Sequence, residues 1–375
     1  MMKECWVICL GAGKSQVSMI RNAQSLGYYV LAIDQNSDSL GFKYADEIIV
    51  ESTYNAEKIL EEIDKRDKRG WIGLVARCTG QALFTAATIV KILQVPGISR
   101  MLADIATSKS ALREFATRNG IKMPYGIKVT ARKEYNKTGF GNNIVVKPDF
   151  TVVGKKSIRK VESFDYEKVG ESIDLALFDS GNGIVEVEEF IEGYDCTYLA
   201  WLEYGEFTTI LTWDELINFD ESGCLYSIGI STPSISLTLN QFLKLKEVIN
   251  KFAQLFPDIR TLVAFSFRVD AEGEPWLIEV HADITGDLIL DKLAPASTGC
   301  NFLLEITKLL IDGKMNSGFR MKCMDLIKPT ALIYGDVHDQ NDETILNAQD
   351  VCMLHTKISD YLDGIVLEQQ RVICI

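Results

Sequence analysis

Residues 264–287 read AFSFRVDAEGEPWLIEVHADITGD. Two apolar runs flank the turn DAEGE, so the stretch predicts a β-hairpin. On the first arm Phe265, Phe267 and Val269 alternate with Ser266 and Arg268. A period of two turns the first set into a core and the second to the opposite face. On the second arm the same period predicts Trp276, Ile278, Val280 and Ala282 inward. Glu279 and His281 then share the other face, joined by Asp283 if the strand extends that far. A carboxylate and an imidazole so placed suit a divalent cation, and the imidazole tilts preference toward manganese. A His281 hydrogen-bonded to Glu279 or Asp283 without metal suits the pattern equally.

Toward the N-terminus the chain alternates short apolar runs with helical patterns. Strands are expected at 5–10, 28–33, 47–50 and 71–76, and helices at 15–26, 55–65 and 80–93. Strands separated by helices call for a parallel sheet. Its first turn, ICLGAGKS at 8–15, begins two nucleotide motifs and completes neither. A P-loop needs a glycine where Ile8 stands, and a dinucleotide fingerprint needs a third glycine where Gln16 stands. Asp34, closing YYVLAID, falls where a ribose-binding acid would sit. Arg77, in LVARCTG, ends a strand at the edge where α/β sheets place ligands. It suits a substrate carboxylate and equally a plain surface charge.

Beyond VPGIS at 95–99, a helix is expected over 107–119 and a small α+β module between 126 and 192 around DYEKVGESIDLALF. Strands at 196–202 and 207–213, a helix at 239–255 and a helix at 299–312 frame the hairpin. With 39 Lys and Arg against 52 Asp and Glu, the net charge is −13, which disfavours nucleic acid and anionic membranes as partners. Nine cysteines, an odd number without a CxxC pair, read as reduced thiols. The run WVICLGAG is too short for a membrane span and meets Lys14 instead of a cleavage site. A cytoplasmic location is therefore expected.

The order of these motifs resembles the ATP-grasp superfamily, the fold shared by biotin carboxylase, carbamoyl-phosphate synthetase, D-alanyl-D-alanine ligase and the L-amino-acid ligases. The resemblance implies an α/β protein: an N-terminal parallel-sheet domain at 1–102, a two-lobed α+β ATP-grasp domain at 103–320 with its lid at about 125–187, and a small C-terminal α+β region at 321–375. Lys109, in TSKSALREF, and Lys147, in NIVVKPDF, match lysines that reach the nucleotide phosphates. TVVGKKSIRKV resembles the lid loop, with Gly154, Lys155, Lys156 and Ser157 facing phosphates; a basic solvated hairpin fits nearly as well. VEVEEFIEGYDCTYLA resembles the hinge, where Glu188 would take the adenine amino group, Ile191 would give main-chain contacts and Asp195 would take ribose hydroxyls. The same acidic alternation also suits an edge strand.

In the hairpin, relatives carry an acid at Ser266, a Glu at Glu279, an Asn at His281 and an Arg at Asp283, so only Glu279 is kept. The resemblance assigns the metal to Glu279 and His281, catalysis to Lys147 and Arg268, and a substrate contact to Gly286 in TGDLILDKLAPASTG, where Asp287 caps a helix, beside the substrate contact read for Arg77 from its strand end. It implies ATP and Mg2+ or Mn2+ as cofactors and a carboxylate and an amine as small-molecule substrates, and leaves a homodimer open. The activity implied is activation of the carboxylate as an acyl phosphate for attack by the amine. Ser266 and Asp283 favour an alternative, a degenerate ATP-grasp protein that binds nucleotide without turnover. An NAD-binding oxidoreductase is a third reading, against which Gln16 counts.

Overall fold

The first sheet forms from apolar runs that are covered on both sides. In the computed structural model, which describes residues 5–66, 70–150, 157–282, 284, 288–320, 328–334 and 343–346, strands β1 (Cys5–Leu10), β2 (Tyr29–Asp34), β3 (Glu47–Val50) and β4 (Gly70–Ala76) pair in parallel in the order β3-β2-β1-β4. Trp6, Ile8 and Leu10 enter one core and Val7 and Cys9 another, which is why β1 shows no polar alternation. Helices α1 (Val17–Ser25) and α2 (Ala56–Asp64) supply the crossovers from β1 to β2 and from β3 to β4, and α3 (Ala82–Leu93) follows β4.

The helix expected over 107–119 is present, and a helix that was not expected precedes it. α4 (Arg100–Thr107) ends where Ser108 turns extended (φ −119°, ψ 118°), and Ser108 Oγ then caps α5 (Lys109–Arg118) by accepting from Ala111 N. The serine that caps the second helix also ends the first.

The small module is an antiparallel sheet of β5 (Gly126–Val129), β6 (Asn143–Pro148), β7 (Arg159–Glu162) and β8 (Val185–Glu189), ordered β5-β8-β6-β7 among the described residues. α6 (Tyr166–Asp179) covers one face, where Val146, Val185 and Val187 meet Val169, Ile173 and Ala176. The alternate residues Lys147, Glu186 and Glu188 take the other face and are buried there. β8 is thus an inner strand, and its acids lie on no sheet edge.

The main sheet is antiparallel. β9 (Gly193–Glu203), β10 (Glu206–Phe219), β11 (Leu225–Thr232), then after α7 (Leu239–Gln254) β12 (Arg260–Asp270) and β13 (Pro275–His281), and beyond α8 (Ala294–Thr298) and α9 (Phe302–Asp312) β14 (Thr330–Tyr334) and β15 (Glu343–Leu346), run in the order β13-β12-β9-β10-β11-β14-β15. α9 packs back on α1 and β4, joining this sheet to the first. Along β9, Tyr198, Ala200 and Leu202 face α7, while Leu199 and Trp201 face α9. No helix among the described residues is long and apolar enough to cross a membrane.

The hairpin is β12–β13, but its second arm is out of phase with simple alternation. Ser266 pairs with Glu279 and Phe267 with Leu277, so Ile278 is extra. Such a bulge resets which side chains point inward. Leu277 and Val280 are buried, whereas Ile278 faces the opposite side and Trp276 is half-buried, under Lys122 Nζ at 3.8 Å and donating to Asp270. The expected inward places of Trp276 and Ile278 are corrected accordingly.

Candidate active site

A cleft lies between the small β5-β8-β6-β7 sheet and the main sheet, with about 880 Å³ of empty space that includes open solvent. Its roof is the charged face of β6 and β8. Its floor is the face of the main sheet that, further along, packs on α9; here the side chains turn polar, as Asp195, Thr197, Glu215, Ser266, Arg268, Glu279 and His281. Ile158, Ile217, Phe219 and Leu225 make an apolar wall, and Phe190 and Ile191 of the segment linking β8 to β9 close one side.

Each polar group has a definite partner. Lys147 Nζ lies 2.6 Å from Glu188 Oε1, both side chains being buried. Lys109, in the first turn of α5, puts Nζ 3.2 Å from Glu279 Oε1, and His281 Nε2 lies 3.4 Å from Glu279 Oε2. Burial pushes the Glu279 carboxyl upward, but the Lys109 ammonium and the His281 hydrogen bond outweigh it and hold the carboxyl well below its usual range. Thr197 Oγ1 donates to Glu215 Oε1 at 2.7 Å and lies 3.2 Å from Ser266 Oγ. Arg268 donates to Ile191 O, to Gly193 O at 3.0 Å and to Asp195 Oδ2 at 2.7 Å, with its guanidinium 4.3 Å from the Phe190 ring centre. It thereby grips the linking segment. Gly193 is needed at that grip: a Cβ there would sit 2.0 Å from Val269 O.

The structure therefore brings Lys109, Lys147, Glu188, Ile191, Asp195, Arg268, Glu279 and His281 around one cleft, Lys109 through its contact with Glu279. Ser157 is buried and its hydroxyl donates to Asp179 of α6. Arg77 lines no part of the cleft; its buried side chain pairs with Asp291 and donates to Ser15 O at 3.0 Å. Gly154, Lys155, Lys156, Asp283, Gly286 and Asp287 lie outside the described residues. At the N-terminal turn, Gln16 packs over Gly11 and donates to Arg77 O at 2.7 Å, and Asp34 accepts from Ala12 N at 2.8 Å. Gln16 and Asp34 are thus engaged with the main chain of the turn and of β4's end.

Sequence reading passed over Arg113, Thr197, Glu215 and Asp149. Arg113 carried a signal, since it follows Lys109 by four residues and so shares its helix face. Glu215 interrupts the apolar run of β10 and was legible in the same way. Asp149 is fully buried, accepting from Ser108 Oγ and Ser110 N, and nothing local announces that.

For a divalent cation, the described residues hold no group of three or more His, Cys, Asp or Glu side chains in ligating range. Glu279 with neighbouring His281 is a partial set, of the kind that suits an ion arriving with nucleotide phosphates, which complete its shell along with water.

By sequence the chain matches no family model and no curated protein. Its fold is similar to solved structures. One is an L-amino acid ligase from Bacillus licheniformis, 17% identical, covering 90% of this chain and 81% of that one at a TM-score of 0.71. A second is the N5-carboxyaminoimidazole synthetase of Staphylococcus aureus in complex with ADP, 15% identical over 96% of this chain and 86% of that one, TM-score 0.68. A third is the biotin carboxylase domain of the Hydrogenobacter thermophilus 2-oxoglutarate carboxylase, solved with MgADP and bicarbonate, 17% identical over 88% of this chain and 74% of that one, TM-score 0.68.

Proposed function

The chain has the ATP-grasp fold, and on that premise we propose that it is an ATP-dependent ligase joining a small carboxylate to an amine. The observation that carries the proposal is the placing of Lys109 and Lys147, from α5 and β6, about Glu279 on the cleft floor. Two ammonium groups from different elements suit a polyphosphate in a protein whose surface is otherwise acidic. The apolar wall of Ile158, Ile217 and Phe219 suits a base, with Glu188 taking its amino group and Asp195 the ribose hydroxyls.

In this reading a carboxylate oxygen of the substrate attacks the γ-phosphorus and ADP leaves. The amine then attacks the acyl carbon, phosphate departs and the amine gives up a proton, leaving an amide. The side chains contribute position and charge and form no covalent bond. Lys147 exchanges Glu188 for phosphate oxygens. Lys109 likewise leaves Glu279 for the phosphates, which frees that carboxylate for the cation. Bound by Glu279, with His281 beside it, Mg2+ or Mn2+ would neutralise and align the phosphates. Substrate contacts through Gly286 and phosphate contacts through Gly154 and Lys155 belong to the same proposal, as does a cytoplasmic setting. Ser157 would act through the α6 end of the lid, where Asp179 holds it.

The test is incubation with ATP, Mg2+ or Mn2+ and a mixture of amino acids, following ADP and amide by chromatography and mass. ADP and amide should form together, and Lys147→Met and Glu279→Gln should each lower the rate by a factor of roughly 100 or more, about 3 kcal/mol of transition-state stabilisation. Ser266, neutral where related folds carry an acid, favours a second reading, a nucleotide-binding protein without turnover. ATP binding with no ADP formed under either cation would give that reading the place of the first.

A further inference from the structure

Glu188 is held by a cation on each oxygen: Lys147 Nζ at 2.6 Å from Oε1, and Arg113 Nη2 at 2.8 Å from Oε2. Arg113 also puts Nε 2.9 Å from Glu186 Oε2 and donates Nη1 to Pro124 O. Two positive and two negative side chains balance in a region where none is more than 15% exposed. Arg113 belongs to α5, and its guanidinium passes over β5 to reach β8. Gly126 makes that passage possible. It pairs directly with Glu188, and a Cβ there would lie 2.6 Å from Arg113 Cζ. The guanidinium therefore fills the space that any side chain at 126 would take.

Resting on the nucleotide site proposed above, we propose that Arg113 is the positioning residue for recognition of the base: it holds Glu188 as a fixed, charged acceptor for the 6-amino group of adenine while Lys147 serves the phosphates. The reason is electrostatic. Without Arg113, Glu188 would be left a buried carboxylate with no counter-ion once Lys147 turns away, a state that is costly and that protonation relieves. Burial already pushes the neighbouring Glu186 carboxyl up against the pull of Arg113. A protonated Glu188 would present a donor as well as an acceptor and would pair equally well with a carbonyl at C6. An ionised one only accepts, and so rejects it. Arg113 thus turns Glu188 into a group that tells an amino-purine from an oxo-purine.

Equilibrium titration of the full chain with ATP and with inosine triphosphate, whose base carries a carbonyl in place of the amino group, tests this. The parent should prefer ATP by about 30-fold or more, the scale of a polar group left facing the wrong partner. Arg113→Met should compress that preference to below about 3-fold by gaining on inosine triphosphate and losing on ATP, a change that general loosening does not produce. Arg113→Lys, which restores a charge, should recover part of it. Gly126→Ala, which displaces the guanidinium and removes no charge, should fall between them. Should Arg113→Met not fold, as judged by its thermal transition, the Lys and Gly126→Ala variants decide alone. Equal weakening of both nucleotides, with the preference kept, makes Arg113 merely structural and overturns the inference alone. A parent that binds neither nucleotide removes the proposed function, and this inference with it.

Discussion

At the scale of single residues, the pair Lys109–Glu279 sets a measurable pH response. The Glu279 carboxyl is held well below its usual range in the folded chain, with Lys109 as the chief favourable partner. A lowered folded value means that the unfolded chain binds more protons through the window. The ionised carboxylate therefore contributes stability at and above an ordinary Glu pKa of about 4.3, and that contribution drains as pH falls toward the folded value. Lys109→Met should move the loss to higher pH. Denaturant midpoints between about pH 3 and pH 6 check it. Superimposable profiles for parent and variant would sink the claim.

Among the elements, α5 and β6 carry the two lysines, and Asp149 joins them. Its carboxylate accepts from Ser108 Oγ at 2.9 Å and Ser110 N at 2.6 Å at the start of α5, and from Asn182 Nδ2. Its carbonyl accepts from Lys109 N at 3.3 Å. A buried acid at a helix N-terminus satisfies donors that the helix leaves open and meets the positive end of its dipole. Asp149→Ala should cost roughly 2–4 kcal/mol, since several hydrogen bonds to a charge are lost together. It should also weaken ATP, because the spacing of Lys109 and Lys147 depends on this tie. Thermal unfolding and titration give both readings; a variant as stable as the parent would show that the cap contributes nothing.

On the scale of the whole molecule, the cleft has its roof and floor on different sheets, joined through the 190–192 segment and the α5–β5 connection. Closure on a nucleotide would order roof and floor together and leave the first sheet unaffected. With ATP and Mg2+ at about 100 times the dissociation constant, the protein should gain about 2.7 kcal/mol. Amide exchange should slow in β6, β8 and 190–195, with β1 and β2 unchanged. Protection confined to β1 and β2 would place the nucleotide at the N-terminal turn instead.

The alternation in β8, VEVEE, was enough to separate Val185 and Val187 from Glu186 and Glu188, and the apolar runs of β1 and β2 were enough for a doubly covered parallel sheet. Such facing is local, because one residue's direction follows from its neighbours'. Lys109, Lys147, Glu188 and Glu279 were legible as charges at the ends or faces of such elements, and so was their order along the chain, from which the fold class followed. Pairing across distance was not legible. Arg113 and Glu188 stand 75 residues apart, and their contact depends on the register that sets Gly126 against Glu188. The phase of β13 depends on one extra residue at Ile278 that only the β12 partner strand reveals. The β9 neighbour of Ser266 decided that Thr197 would share its hydrogen bonds, and Glu215, paired with Asp195, came to the same face from β10. Periodicity assigns each side chain a face, but which faces meet is settled by strand order and register, and these are energies of the assembled sheet.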